Sequence, residues 1–113
     1  MVQAIVVSAP ATLAVENDRP MPTLRDDSIL VKVASVALNP TDWKNALRSQ
    51  PGVTIGCDYA GIVEAIGPAV KKSFRVGDPV FGLVHGCNPE QASDGDSHAV
   101  SYCRKAPSGT TPE

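Results

Sequence analysis

Asn39-Pro40-Thr41-Asp42-Trp43-Lys44 places a hydroxyl, a carboxylate, an indole and an ammonium on four consecutive residues. Thr41 can donate a hydrogen bond and Lys44 can supply a cation, groups suited to meeting negative charge on an oxygen. Trp43 offers an apolar wall, and Asp42 can orient the loop. The plainer reading is an ordinary capped helix with a surface lysine and Trp43 in the core.

Other groupings carry less chemistry. Asp58 and Glu64 are separated by one strand, and nothing places them as an acid–base pair. His85, Cys87, His98 and Cys103 are four N/S side chains, but their H-x-C and H-x4-C spacings match no common closed zinc pattern. Those histidines read as loop residues, and Cys57 as a small buried hydrophobe. Gly56, Gly61 and Gly67 are too widely spaced for a G-x-G-x-x-G phosphate turn, and a strand lies between the second and third. Asp78 reads as a turn residue that fixes entry to a strand.

The elements that must position these groups follow from local pattern. Gln3 to Val7 is a β-branched opening strand, and Thr12 to Val15 can pair with it as a hairpin. The prolines of Asn17 to Pro22 mark a loop. Ser28 to Leu38 is apolar without strict alternation, which predicts a strand covered on most of both faces. Asn39 suits an N-cap, Pro40 the first helical position and Asp42 the positive first turn. That helix runs through Trp43 and Leu47 and stops near Pro51-Gly52. Tyr59 to Ile66 is a further strand, in which Gly61 allows close backbone approach. Lys71 to Arg75 is a solvated turn before a strand from Val80 to Val84. Residues 95–103 hold one weak strand signal, and residues 104–113 are polar and proline-containing, a composition that predicts disorder.

Composition bounds the rest. One domain fits 113 residues, and 42 % apolar content with only 4 % aromatic requires a core of Val, Ala, Ile and Leu. A net charge of -2 gives no electrostatic case for nucleic acid or an anionic membrane surface. No apolar run approaches the roughly 20 residues that span a bilayer. Three irregularly spaced cysteines suit a reducing compartment, so a cytoplasmic protein is expected.

Three blocks, Leu38 to Lys44, Asp58 to Gly67 and Val76 to Gly82, resemble in order and spacing the N-terminal GroES-like domain of the medium-chain dehydrogenase/reductase superfamily. The likeness covers residues 2 to about 95. It is nearest to the zinc-free branch, which includes quinone reductases and fungal trans-acting enoyl reductases of polyketide pathways. The resemblance implies a mainly β fold, a small β-barrel with one short helix. It also implies a domain over residues 1–95, with a divergent tail over 96–113 that is expected to be disordered.

In that family the segment around Thr41 floors a cleft, its hydroxyl and ammonium facing the nicotinamide ribose and the reacting carbonyl. By resemblance, Thr41 and Lys44 are catalytic, and Thr41, Asp42, Trp43 and Lys44 border the NADPH cofactor. Tyr59 lines the substrate pocket or packs inside the barrel. Zinc-dependent relatives carry a cysteine at the position of Asn39 and His-Glu at Cys57-Asp58. Asparagine does not replace a thiolate, so no metal is expected.

The function implied is hydride transfer from NADPH to an α,β-unsaturated thioester. The substrate would be a small-molecule or carrier-protein-bound acyl group, with a polyketide synthase as partner. The alternatives are a quinone or alkene reductase, a non-catalytic docking or regulatory product, and a co-chaperonin-like module. After Gly95 the chain reads Asp96-Ser-His-Ala-Val100, where relatives carry an aromatic-rich strand. That departure leads to the expectation of a reading frame truncated or shifted there. The chain alone would then be inactive and would not bind NADPH tightly.

Overall fold

The computed structural model describes residues 2–84, residue 86 and, as backbone alone, residues 99–102. Strand β1, Val2–Ala9, pairs antiparallel with β2, Thr12–Arg19, across the two-residue turn Pro10-Ala11. The other edge of β1 is met by residues 52–55. The Gly52 N–H donates to the Val7 carbonyl at 2.7 Å, the Val7 N–H to Val53 at 3.0 Å and the Ile55 N–H to Ile5 at 3.0 Å. Arg19 Nη2 donates to the Gly52 carbonyl at 2.8 Å, so β2 is clamped to the same segment. Beneath this layer Val7, Ala46 and Val53 form a small core with Ile55 against it.

The second sheet has the order β5-β4-β3-β6, built from β3, Ile29–Ser35, β4, Asp58–Ile66, β5, Pro79–Leu83, and β6, Ala99–Tyr102. β4 is antiparallel to both neighbours, and β6 is parallel to β3, with Ile29 opposite Ala99 and Lys32 opposite Tyr102. Proline is tolerated at the start of edge strand β5, where no ladder donor is required. Ile29, Val31 and Val63 form the core, with Tyr59, Ile66, Val70, Phe74, Val80 and Val84 packed against it. Gly61 lies opposite both Val33 and Val80. An ideal Cβ there would overlap the Lys32 carbonyl oxygen. The close approach read from the sequence is therefore real.

Asp78 closes the turn into β5. Its Oδ2 accepts from the Arg75 N–H at 2.9 Å, its N–H donates to the Arg75 carbonyl at 3.0 Å, and its carbonyl receives the Val63 N–H at 2.9 Å. Asp78→Ala removes the first of these. It is expected to cost about 1 kcal/mol, measured as a lower urea midpoint with unchanged slope.

The mainly β class and, among the described residues, the one short helix, α1 at Pro40–Ala46, agree with the sequence. Barrel closure does not: among the described residues the strands form separate two- and four-stranded sheets. β2 runs on through Asn17, Asp18 and Arg19, which were expected in a loop. The pairing of Arg19 with Val2 and the 2.7 Å bond from Gln3 Nε2 to Asn17 Oδ1 hold that stretch extended. β3 stops at Ser35 and buries one face only, since Lys32 and Ala34 are exposed. The helix ends at Ala46, not near Pro51. The Arg48 N–H turns back to the Asn45 carbonyl at 3.0 Å, and the Ser49 hydroxyl donates to the same oxygen at 2.8 Å. These tighter bonds satisfy the last carbonyls and end the α-helical ladder. β6 lies beyond residue 95 and holds the weak strand signal of residues 95–103. The tail of residues 104–113 lies outside the described residues.

Candidate functional site

Helix α1 turns two of its residues inward and the chemically interesting ones outward. Asp42 and Ala46, one turn apart, are buried. Asp42 Oδ2 accepts the Asn39 backbone N–H at 2.7 Å, the returning half of a capping box. Asn39 Nδ2 also donates to Asp58 Oδ2 at 2.8 Å, tying the helix start to the first residue of β4. The Asp42 carboxylate and the Gly86 backbone both lie close enough to the Cys57 thiol to bear on its charge, and among the described residues Asp42 Oδ1 is buried without a hydrogen-bond partner. Asn39, Asp42, Cys57 and Asp58 thus form one polar knot joining α1, β4 and the chain after β5.

Within this knot burial pushes the Cys57 thiol above its ordinary value of 9.0; the Gly86 N–H works against that, while Asp42 and Asp58 add to it. Burial also raises the Tyr59 phenol above 10.0. A folded state that holds its protons more tightly than the unfolded chain keeps this contribution whole below the unfolded pKa. The contribution is lost as the pH rises through the folded one. These two groups are therefore expected to add no slope to the unfolding midpoints below pH 9.0 and to make them fall above it, with Cys57→Ala flattening the first part of that fall. A fall of equal steepness in Cys57→Ala would remove Cys57 as its source.

Thr41, Trp43 and Lys44 all face solvent. Thr41 Oγ1 accepts from Asn45 Nδ2 at 3.1 Å, which leaves its own proton to be donated outward. Lys44 Nζ sits 5.5 Å from the centroid of the Trp43 ring. Trp43 is 54 % exposed, so it is not a core residue among those described. Leu38 at 78 % and Leu47 at 56 % extend this surface as apolar ground around the cation and the hydroxyl. Tyr59 stands apart from it. Its ring packs against the Ile29–Val31–Val63 core, and its hydroxyl lies over Gly82 on the neighbouring strand.

The structure thus exposes Thr41, Trp43 and Lys44 on α1, buries Asp42 and puts Tyr59 on the sheet. Asn39 was read as a cap and Asp58 as a lone carboxylate, so the bond between them was missed. The available signal was that both fall at positions where zinc-dependent relatives carry ligands, which brings them together in space. His85, Cys87, His98 and Cys103 lie outside the described residues. Among the described residues no group of three or more His, Cys, Asp or Glu is placed to hold a metal ion. No described helix is long and apolar enough to cross a membrane.

Comparison with known proteins gives this geometry a context. Residues 25–111 match the alcohol dehydrogenase GroES-like domain. The chain is 53 % identical over 94 residues to a trans-enoyl reductase of Aspergillus sclerotiorum, covering 82 % of this chain and 26 % of that protein. It is 56 % identical over 94 residues to a trans-enoyl reductase of Cochliobolus carbonum, covering 82 % of this chain and 32 % of that protein. Among solved structures, an alcohol dehydrogenase superfamily protein from Novosphingobium aromaticivorans superposes with a TM-score of 0.61 at 36 % identity, over 79 % of this chain and 28 % of that one. The quinone oxidoreductase from Coxiella burnetii gives 0.60 at 26 % identity, over 74 % and 29 %. The chain therefore spans between a quarter and a third of the length of these curated relatives, 26 % and 32 %.

Proposed function

Because this chain belongs to the alcohol dehydrogenase GroES-like domain family, within the medium-chain dehydrogenase/reductase superfamily, we propose that it forms one wall of the active-site cleft of an NADPH-dependent trans-acting enoyl reductase. The observation that carries this reading is the outward face of α1, where a hydroxyl and an ammonium stand free on apolar ground. A bound NADPH supplies the hydride for reduction of an α,β-unsaturated thioester. Lys44 and Thr41 meet the negative charge that builds on the thioester oxygen and hold the ribose hydroxyls. Trp43, Leu38 and Leu47 exclude water from the same side. Asp42 works from beneath, by holding the first turn. Tyr59 borders the acyl side of the pocket.

The fit of this domain to the cofactor is partial, and that division is part of the proposal. No G-x-G-x-x-G stands in the 113 residues, so the pyrophosphate and adenosine are bound by a dinucleotide-binding domain outside them. The acyl substrate is carried by an acyl carrier of a polyketide synthase, in the cytoplasm, and the chemistry needs no zinc. The likeness to a quinone oxidoreductase favours a second reading, reduction of a quinone or other activated alkene in the same cleft.

Titration of the isotope-labelled chain with NADPH tests the first reading. Weak, saturable shifts are expected at the amides of Thr41, Asp42 and Lys44, lost in Lys44→Ala. The purified 113 residues are expected to show no NADPH turnover. Shifts confined to other surfaces, or turnover by these residues alone, would count against it.

A further inference from the structure

The established likeness accounts for Thr41 and Lys44 but not for the knot behind them. Three observations converge on Asp58. First, it receives the Asn39 side-chain amide at 2.8 Å, a bond between residues 19 apart that joins the residue preceding α1 to the start of β4. Second, the same Asn39 offers its backbone N–H to the buried Asp42 at 2.7 Å, so one residue is gripped from both sides. Third, β4 is fixed where Asp58 begins it: Asp58 pairs with Leu83, and the Val84 N–H donates to the Cys57 carbonyl at 2.8 Å. Opposite the knot, Ala46 is the residue α1 contributes to the apolar core with Val7 and Val53. A methyl group offers little shape to lock a helix angle, so the polar bonds of Asn39, Asp42 and Asp58 are the ones suited to set it.

We propose that Asp58 is a positioning residue: acting through Asn39, it sets the angle at which α1 presents Thr41 and Lys44. This role rests on the reading of those two residues given above, but its geometry is independent of any ligand. The bond requires an acceptor at Asp58, which asparagine retains and alanine lacks. It requires the reach of an amide at Asn39. Serine in that place keeps a good helix cap and cannot span to β4.

Residual dipolar couplings of the isotope-labelled chain measure the angle directly, as the orientation of the N–H vectors of residues 41–46 against those of β3 and β4. Asp58→Ala and Asn39→Ser are expected to rotate the helix vectors while leaving the sheet vectors unchanged. Asp58→Asn is expected to restore the parent angle. The NADPH-dependent shifts at Thr41 and Lys44 are expected to weaken in Asp58→Ala and Asn39→Ser and to recover in Asp58→Asn. Should Asp58→Ala fail to fold, Asn39→Ser carries the same measurement. A parent angle kept in Asn39→Ser, or lost in Asp58→Asn as fully as in Asp58→Ala, overturns the proposal. If NADPH shifts nothing in the parent chain, the cofactor reading fails, and the helix angle still decides the role of Asp58.

Discussion

Gly61→Ala is expected to lower the stability of this chain by about 3 kcal/mol, the upper range for overpacking a well-packed site. The added methyl would fall on the Lys32 carbonyl oxygen, with the Lys32 carbonyl carbon and Val33 Cα both 2.9 Å away. All three are backbone atoms of β3, so no side chain can swing aside to make room. Relief requires β3 and β4 to separate, and the core formed by Val31 and Val63 spans that same junction. Gly82→Ala is the control. Its methyl would meet the end of the Tyr59 side chain, 2.9 Å from the hydroxyl oxygen, and a side-chain end can give way. Its cost is expected to stay below about 1.5 kcal/mol. Equal urea midpoints for the two variants would mean that close strand approach is not what Gly61 provides.

That glycine also shows how far the sequence alone reaches. A single glycine inside an apolar, β-branched run signals that something comes close to the backbone, and the signal is local. Asp78, one residue after Gly77 and before Pro79, is legible for the same reason: the partner of its side chain, Arg75, is three residues away. What stayed hidden depends on contacts distant in sequence. Asn17 and Arg19 look like turn residues, yet Gln3, Val2 and Gly52 hold them extended. The helix stops early because Asn45 and Ser49 offer bonds that propensity does not weigh. β3 is apolar enough to be sandwiched, but only one of its faces meets a core.

The candidate site divides along the same line. Residue types and order mark Thr41 as a donor and Lys44 as a cation, the kinds of group suited to charge on an oxygen, and that reading is local. The outward placement of Trp43 contradicts its usual burial, because the helix spends its inward positions on Asp42 and Ala46. A buried carboxylate at the third helical position is costly unless it is hydrogen-bonded. Here Oδ2 accepts the Asn39 N–H, while among the described residues Oδ1 has no hydrogen-bond partner and the Cys57 thiol lies nearby. The chain thus places a carboxylate in its interior and an indole at its surface. A composition-based reading favours the reverse.

Lys44→Ala is expected to have the largest effect on chemistry. In an enzyme carrying this domain together with a dinucleotide-binding domain, it is expected to lower kcat for enoyl thioester reduction by about 100-fold. That is the scale measured when one donor to a developing oxyanion is removed. The loss should appear in kcat more than in KM if the ammonium meets charge that exists mainly in the transition state. Stability should move little. Lys44 is exposed, and its contact with Trp43 at 5.5 Å is of the kind that contributes about 0.5–1 kcal/mol on a surface. Lys44→Arg keeps a cation but changes its shape and reach, so it should recover part of the rate and not all of it. Thr41→Val removes the neighbouring donor at nearly constant volume and should cost rate in the same direction. If Lys44→Ala instead raises KM at unchanged kcat, the ammonium holds the cofactor equally in ground and transition states. Its role would then be binding alone, and the stabilising donor must be sought elsewhere in the cleft.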